Sequence, residues 1–341
     1  MDKPSRYTNN MSADPPNPTY SLPHHLTNRA LDIITLGSFV LERVIKLSGW
    51  PEAGGQDNIT INSITDTFGG CATSVACYAA RFGLKTSLIS MIGDDEPCTN
   101  ALQELHNSGV ATKHMSHYKN EHGSLIRILA DPHGEWASLS MVNSNLKFRL
   151  KDLPPISYFE TAKILHIDGY ACLSTLGSEE IVLKAVERAN AAGCVISVDA
   201  CVPAAKHSTN FLVNLFKRAN IVFANLSEAQ LLTGTDNVDS IIQSYRSMGV
   251  DVGIIKNGIH GSHVTTQISH IYIPAYQVDI IDSIAAGDAY VAGMLASLCK
   301  RFSIIKSANY ASASGALACQ GFGSLSNFYT FSHMDDLISQ V

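Results

Sequence analysis

The sequence predicts an α/β fold: a three-layer sandwich around a mostly parallel central sheet, with a small antiparallel β lid beside it. Two patterns carry that expectation. From Ala162 onward, short apolar runs alternate with helical stretches, the rhythm of a parallel sheet covered by helices on both faces. Before Ala162, segments near 40–67 and 112–143 hold strand patterns divided by turn residues, which suits a second, smaller sheet.

Taken in order, Leu31–Leu36 is an apolar run ending at Gly37 and reads as the first core strand. Val40–Leu47 reads as a second strand leaving the core. Asn58–Thr67 sets Ile59, Ile61 and Ile64 among polar residues, as in a half-exposed strand. Cys71–Phe82 is small and apolar with Gly83 just after it, a helix with a glycine stop. Lys85–Ile92 is a strand, and Gly93-Asp94-Asp95 turns into a helix near Cys98–Asn107. Ser124–Leu129 and Trp136–Val142 form an antiparallel pair across Asp131-Pro132-His133-Gly134. Strands then fall at Lys163–Ile167, Val195–Asp199, Ile221–Ala224 and Val252–Lys256. Helices lie between them near Ser178–Ala191, Asn210–Arg218 and Val238–Ser247. Ile271–Ile281 reads as a last strand, followed by buried helices at Ala289–Leu298 and Ser303–Cys319.

The 341 residues carry 24 Lys and Arg against 30 Asp and Glu, a net charge of −6. That balance does not suggest a nucleic-acid partner. No apolar run approaches the roughly 20 residues of a membrane span. Residues 1–29 are rich in Pro, Asn, Ser and His and read as a disordered tail ahead of a single domain, 30–341. Eight cysteines include no Cys-x-x-Cys pair and sit mostly in apolar segments, so they read as free thiols of a reducing, cytoplasmic compartment. His114, His117 and His122 fit no zinc spacing, and no P-loop or nucleophile elbow is present.

Chemistry concentrates at Asp282–Gly293. Ala285, Ala286 and Gly287 leave the backbone bare at the start of a helix, where unpaired N–H groups and the helix dipole favour an anion such as phosphate. A carboxylate there repels phosphate, so Asp288 suits a general base that takes a hydroxyl proton while the N–H groups stabilise transferring charge. A tight turn with a helix-terminal charge fits the same residues. Gly69-Gly70 precedes another helix and permits close ligand approach. Asn225 and Glu228 lie at a strand's carboxyl end, where they could bind a cation or simply cap a helix. Asp168, His166 and Asp199 also end strands and could face the cleft.

Asp282-Ser283-Ile284-Ala285-Ala286-Gly287-Asp288-Ala289-Tyr290-Val291-Ala292-Gly293 resembles the C-terminal motif of the ribokinase-like (PfkB) carbohydrate kinases. Gly69-Gly70-Cys71-Ala72-Thr73-Ser74, Gly37-Ser38-Phe39-Val40-Leu41-Glu42, Asn225-Leu226-Ser227-Glu228 and Lys256-Asn257-Gly258-Ile259-His260-Gly261 resemble further family motifs in family order. The resemblance spans about residues 31–325. It implies a ribokinase-like fold and ATP-dependent phosphorylation of a hydroxyl on a small sugar or sugar-like substrate, or a nucleoside. Asp288 would be the base, and the Ala285, Ala286, Gly287 and Asp288 backbone the anion hole. Glu42, Gly69, Gly70 and Ser74 would meet the substrate. Asn225, Glu228, Lys256, Gly258, Gly261 and Asn309 would meet the nucleotide, with Glu228 holding Mg²⁺ through water. Asp282, Ser283 and the Gly321–Ser324 loop lie where members bind a monovalent cation such as K⁺. A lid with an apolar edge would allow a homodimer. This chain departs from the family at Ala285 (usually Gly), Ser74 (commonly Asn) and Glu42 (usually Asp). Those departures leave open a catalytically weak or inactive homologue that binds sugar or nucleotide as a sensor or partner. An NAD-dependent oxidoreductase would need Gly-x-Gly-x-x-Gly after an early strand, and Gly37 begins no such loop.

Overall fold

The computed structural model describes residues 19–50, 58–132, 136–141, 148–173 and 178–340. Along the chain, β1 (Leu31–Leu36) enters the core, and β2 (Val40–Leu47) and β3 (Ile61–Gly69) leave it and return. Then come α1 (Cys71–Arg81), β4 (Thr86–Ile92), α2 (Glu96–Asn107), β5 (Val110–Ala111) and β6 (Met115–His117). β7 (Leu125–Ala130) and β8 (Trp136–Met141) make a second excursion. The chain continues through α3 (Ile156–Phe159), β9 (Ala162–Ile167), α4 (Glu179–Ala191), β10 (Val195–Asp199), α5 (Val202–His207) and α6 (Thr209–Phe216). Next are β11 (Ile221–Asn225), α7 (Leu226–Thr233), α8 (Val238–Ser247) and β12 (Val252–Lys256). β13 (Ser262–Thr266), β14 (His270–Ile273), α9 (Ala286–Cys299), α10 (Ile304–Ala318) and α11 (Phe331–Ser339) complete it.

Ten strands form the large sheet, ordered β14-β13-β12-β11-β10-β9-β1-β4-β5 with β6 beside β4. Its pairs are parallel except for β12–β13 and β13–β14. α1, α9 and α10 pack on one face with Ile33, Phe223 and Ile254; α4, α6 and α8 pack on the other with Ile34, Ile196 and Ile255. Coverage on both sides explains the unbroken apolar runs: every residue of β4 and β10 is buried. α9 is buried from Asp288 to Leu298 and is accordingly apolar all round. The parallel strands deliver their carboxyl ends to one edge, where α9 and α1 also begin.

The small sheet runs β3-β2-β7-β8. β2–β3 and β7–β8 are antiparallel, but the central β2–β7 pair is parallel. Residues 115–117, expected in this lid, instead join the large sheet as β6, parallel to β4. The expected strand Ile271–Ile281 stops at Ile273. Pro274 has no N–H to continue the ladder, and Ile280 and Ile281 are exposed rather than packed. Residues 19–29, expected as tail, pack against the body: Leu22 and Leu26 are buried, and Arg29 donates to the Ala162 carbonyl. Residues 1–18, with most of that tail, and His133-Gly134 of the expected turn lie outside the described residues. Among the described residues, no helix is long and apolar enough to cross a membrane. All eight cysteines are free thiols.

Candidate active site

The first turn of α9 is the centre of the site. Ala285 is its N-cap and holds φ 59°, ψ 10°, a left-handed conformation otherwise suited to glycine. Ala286 N donates to Ser283 O at 3.2 Å, while the next N–H groups of a helix have no intrahelical partner. Gly287 leaves room for the Lys256 ammonium, which stands 3.4 Å from where a Cβ would be. Asp288 is buried in this turn. Burial, then the neighbouring Asp199, push its carboxyl well above the usual range; Lys256 and a hydrogen bond from the Cys71 thiol oppose that.

Lys256 ends β12 and donates to both Asp199 oxygens, at the end of β10, at 2.8 Å. Burial alone would depress the lysine, but Asp199 and Glu228 outweigh it and hold the ammonium above its usual range. Burial raises Glu228 to about 7, opposed by Lys256. Glu228 also caps α7: its Oε2 accepts from Asn225 N at 2.7 Å, and Asn225 Oδ1 accepts from Glu228 N at 2.9 Å. The cap reading of this pair is therefore real, and it holds Glu228 beside Lys256. One ammonium thus faces three carboxylates, Asp199, Glu228 and Asp288. An excess of buried oxygen ligands beside free helix N–H groups fits a polyphosphate carried with a hard divalent cation.

Glu42 is not an exposed strand residue. It is 6 % exposed, and Ser324 Oγ donates to it at 2.6 Å. Burial raises its carboxyl. Gly69 lies against it, so a Cβ there would strike the carboxylate. Ser74, expected at the substrate, is 1 % exposed, and its hydroxyl makes no hydrogen bond. Ser74 lies in α1, one turn beyond Gly70, whose carbonyl accepts from Ser74 N at 2.8 Å. Asp282 joins two loops, accepting from Ile284 N and Gly323 N, each at 2.9 Å. Gly258 and Gly261 bracket the turn between β12 and β13. Asn309 lies on α10 and accepts from the Tyr276 hydroxyl at 3.3 Å.

The structure thus gathers Asp288, Gly287, Lys256, Glu228 and Asp199 in one cluster, with Gly69, Gly70 and Glu42 at a second. Sequence reasoning missed the Cys71 thiol beside Asp288 and the Ser324 bond to Glu42; neither had a spacing signal. Asp199 and Asp168 were visible only as acids ending strands. Among the described residues, no cluster of three or more His, Cys, Asp and Glu could hold a metal on its own. His122 instead meets Asp95 at 3.2 Å, and His114 packs against Tyr158.

A buried acid at a helix N-terminus, at the carboxyl edge of a parallel sheet that carries a small second sheet, is the arrangement of a phosphotransferase-type α/β protein. A model of the pfkB family carbohydrate kinases matches residues 31–329. The chain belongs to that family and is a carbohydrate kinase. It is 25 % identical over 290 residues to 2-dehydro-3-deoxygluconokinase of Bacillus subtilis, covering 82 % of this chain and 89 % of that protein. It is 24 % identical over 296 residues to a nucleoside kinase of Methanothermobacter thermautotrophicus, covering 87 % and 92 %. A ribokinase-fold protein of E. coli crystallised with ATP and Mg²⁺ superposes with a TM-score of 0.81 at 20 % identity, covering 91 % of this chain and all of that one (100 %).

Proposed function

We propose that this chain transfers the γ-phosphoryl group of ATP to a hydroxyl of a small sugar or sugar-like acceptor, with Asp288 as general base. The observation that carries the reading is the buried Asp288 carboxylate, set in the first turn of α9 beside the Lys256 ammonium. Asp288 takes the hydroxyl proton as the oxygen attacks phosphorus in line with the departing ADP. The Ala285–Asp288 N–H groups hold the charge on the transferring group, and Lys256 adds a cation at the same point. Mg²⁺, when bound, neutralises the phosphate oxygens; Glu228 and Asn225 would hold it through water. Gly258, Gly261 and Asn309 line the nucleotide side, and Glu42, Gly69-Gly70 and Ser74 the acceptor side. The match to an ATP–Mg²⁺ complex supports the cofactors; the kinases of sugar acids and nucleosides among its relatives bound the acceptor class.

In this reading residues 1–29 precede a single kinase domain, 30–341. The small sheet, drawn from residues 40–67 and 125–141, is a lid that excludes water. Asp282 and Ser283 with the 321–324 loop would take K⁺. The free thiols suit a reducing cytoplasm. The lid's exposed Ile61, Ile64, Leu139 and Met141 suit a homodimer. A second reading, a weak kinase that mainly binds its ligands, draws on the left-handed Ala285 in the anion hole. ADP release with Mg-ATP against a panel of sugars, sugar acids and nucleosides decides between them. Acceptor-dependent turnover supports the kinase. Ligand-raised melting temperatures without turnover support the binder.

A further inference from the structure

Asp168, just after β9, is wholly buried. Its carboxylate accepts from Ser38 N at 2.8 Å, Ser38 Oγ at 2.6 Å, Ala72 N at 3.0 Å and Ala171 N at 2.8 Å. Those donors belong to three separate elements: the loop entering β2, the first turn of α1, and the turn after β9. The small sheet leaves and rejoins the body at this point. Val40 at the start of β2 pairs with Gly69 at the end of β3. Thr73 Oγ1 donates to Ser38 O at 2.8 Å, and a Cβ on Gly70 would strike that same carbonyl. Ser38 is therefore held from the β9 side by Asp168 and from the α1 side by Thr73.

We propose that Asp168 is a positioning residue whose carboxylate clamps the root of the small sheet, and so fixes Glu42 and Gly69-Gly70 where the acceptor binds. The acceptor clause rests on the kinase reading above; the clamp itself does not. The chemistry asks for a carboxylate. All four partners are donors, and an ionised carboxylate is acceptor-only with about four lone-pair sites. An amide would turn two N–H groups toward those donors. Gly37 completes the clamp, because a Cβ there would land in the Asp168 carboxylate. In this proposal Asp168 acts through the pose of β2 and of the α1 N-terminus, not by touching the acceptor.

The test compares Asp168→Asn and Gly37→Ala with wild type, by backbone hydrogen exchange and by steady-state kinetics. Gly37→Ala keeps the charge but displaces it, and serves if Asp168→Asn fails to fold. Exchange should quicken by about tenfold or more in residues 38–47 and 61–69 and stay unchanged in β10 and β11. KM for the acceptor should rise by about tenfold, with kcat and KM for ATP within about threefold of wild type. Unchanged exchange in β2 and β3, or an equal rise throughout the large sheet, overturns the clamp. Local exchange with an unchanged acceptor KM overturns its role in positioning the acceptor. A wild type without acceptor-dependent turnover counts against the kinase reading, and exchange still decides the clamp.

Discussion

Lys256 Nζ donates to both carboxylate oxygens of Asp199 at 2.8 Å, tying the ends of β12 and β10 together beside the first turn of α9. The two side chains are only 13 % and 8 % exposed, so water cannot replace either partner. The pair places a cation against Gly287 without leaving it unbalanced when no phosphate is bound.

Removing one partner of a buried pair strands the other. Lys256→Met should destabilise the protein by about 3–5 kcal/mol in urea unfolding. Lys256→Met with Asp199→Asn should recover part of that loss, since Asp199 no longer carries an unpaired charge while Glu228 and Asp288 still lack their cation. Turnover should stay about 100-fold down in both, because the cation at the transferring group is gone in both. A double variant that regains activity would show that Lys256 serves only to neutralise Asp199.

Asp288→Asn should lower kcat by roughly 10²–10⁴, the usual contribution of a general base. It should also stabilise the fold at alkaline pH. The folded pKa of Asp288 is raised, by burial first and Asp199 next. The neutral acid is therefore favoured in the fold, and stability is lost as pH rises from the unfolded value through the folded one. Each unit of that rise costs about 1.4 kcal/mol once the group is ionised. Melting temperatures of variant and wild type should coincide near pH 4 and diverge by pH 8, with the variant higher. Curves that stay together across that range would mean Asp288 is not held in a desolvated, charge-crowded place.

Much of this was legible in the chain. β1, β2, β10 and β12 keep the bounds their apolar patterns imply, because each strand opens and closes with the run of apolar residues, continuous or alternating, that it buries. β13 was invisible: Ser262-His263-Val264-Thr265-Thr266 is mostly polar, and only its pairing with β12 makes it a strand. Ile271–Ile281 misled in the opposite direction, since isoleucines after Pro274 face solvent. In the site, Asp288, Lys256 and Glu228 were readable as charges beside small residues at element ends. Which charge meets which was not. Asp199 and Lys256 are 57 positions apart, and Ser324 and Glu42 are 282 apart, so only the tertiary fold brings them together.

Ala285→Gly should stabilise the protein without lowering its activity. A non-glycine residue in the left-handed region costs about 1–2 kcal/mol, and Ala285 sits there at φ 59°. Glycine gives back part of that through a freer unfolded chain, about 0.5–1 kcal/mol. The net gain is roughly 0.5–1 kcal/mol, or a few degrees at most in thermal melting. Because the N–H groups of the turn do not move, kcat should equal or exceed wild type. A marked fall in kcat would show instead that the alanine methyl shapes the anion site.

Glu228 should make stability depend on pH and, in the proposed Mg²⁺-holding role, on divalent cations. Its carboxyl rises from 4.5 to about 7, by burial against the pull of Lys256. A raised acid stabilises the fold fully below the unfolded pKa, and that contribution fades as pH climbs from about 4.5 through 7. Glu228→Gln keeps an acceptor for Asn225 N, so the α7 cap survives while the titration disappears. The melting temperature of wild type should therefore decline more steeply across that window than that of the variant. In the proposed role the ionised carboxylate holds Mg²⁺ through water, so millimolar MgCl₂ with ATP should raise the wild-type melting temperature more at pH 8 than at pH 5.5. In Glu228→Gln the two increments should converge. If the variant keeps the wild-type slope and the wild-type response to Mg²⁺, the carboxylate that titrates and meets the cation is another of the three around Lys256.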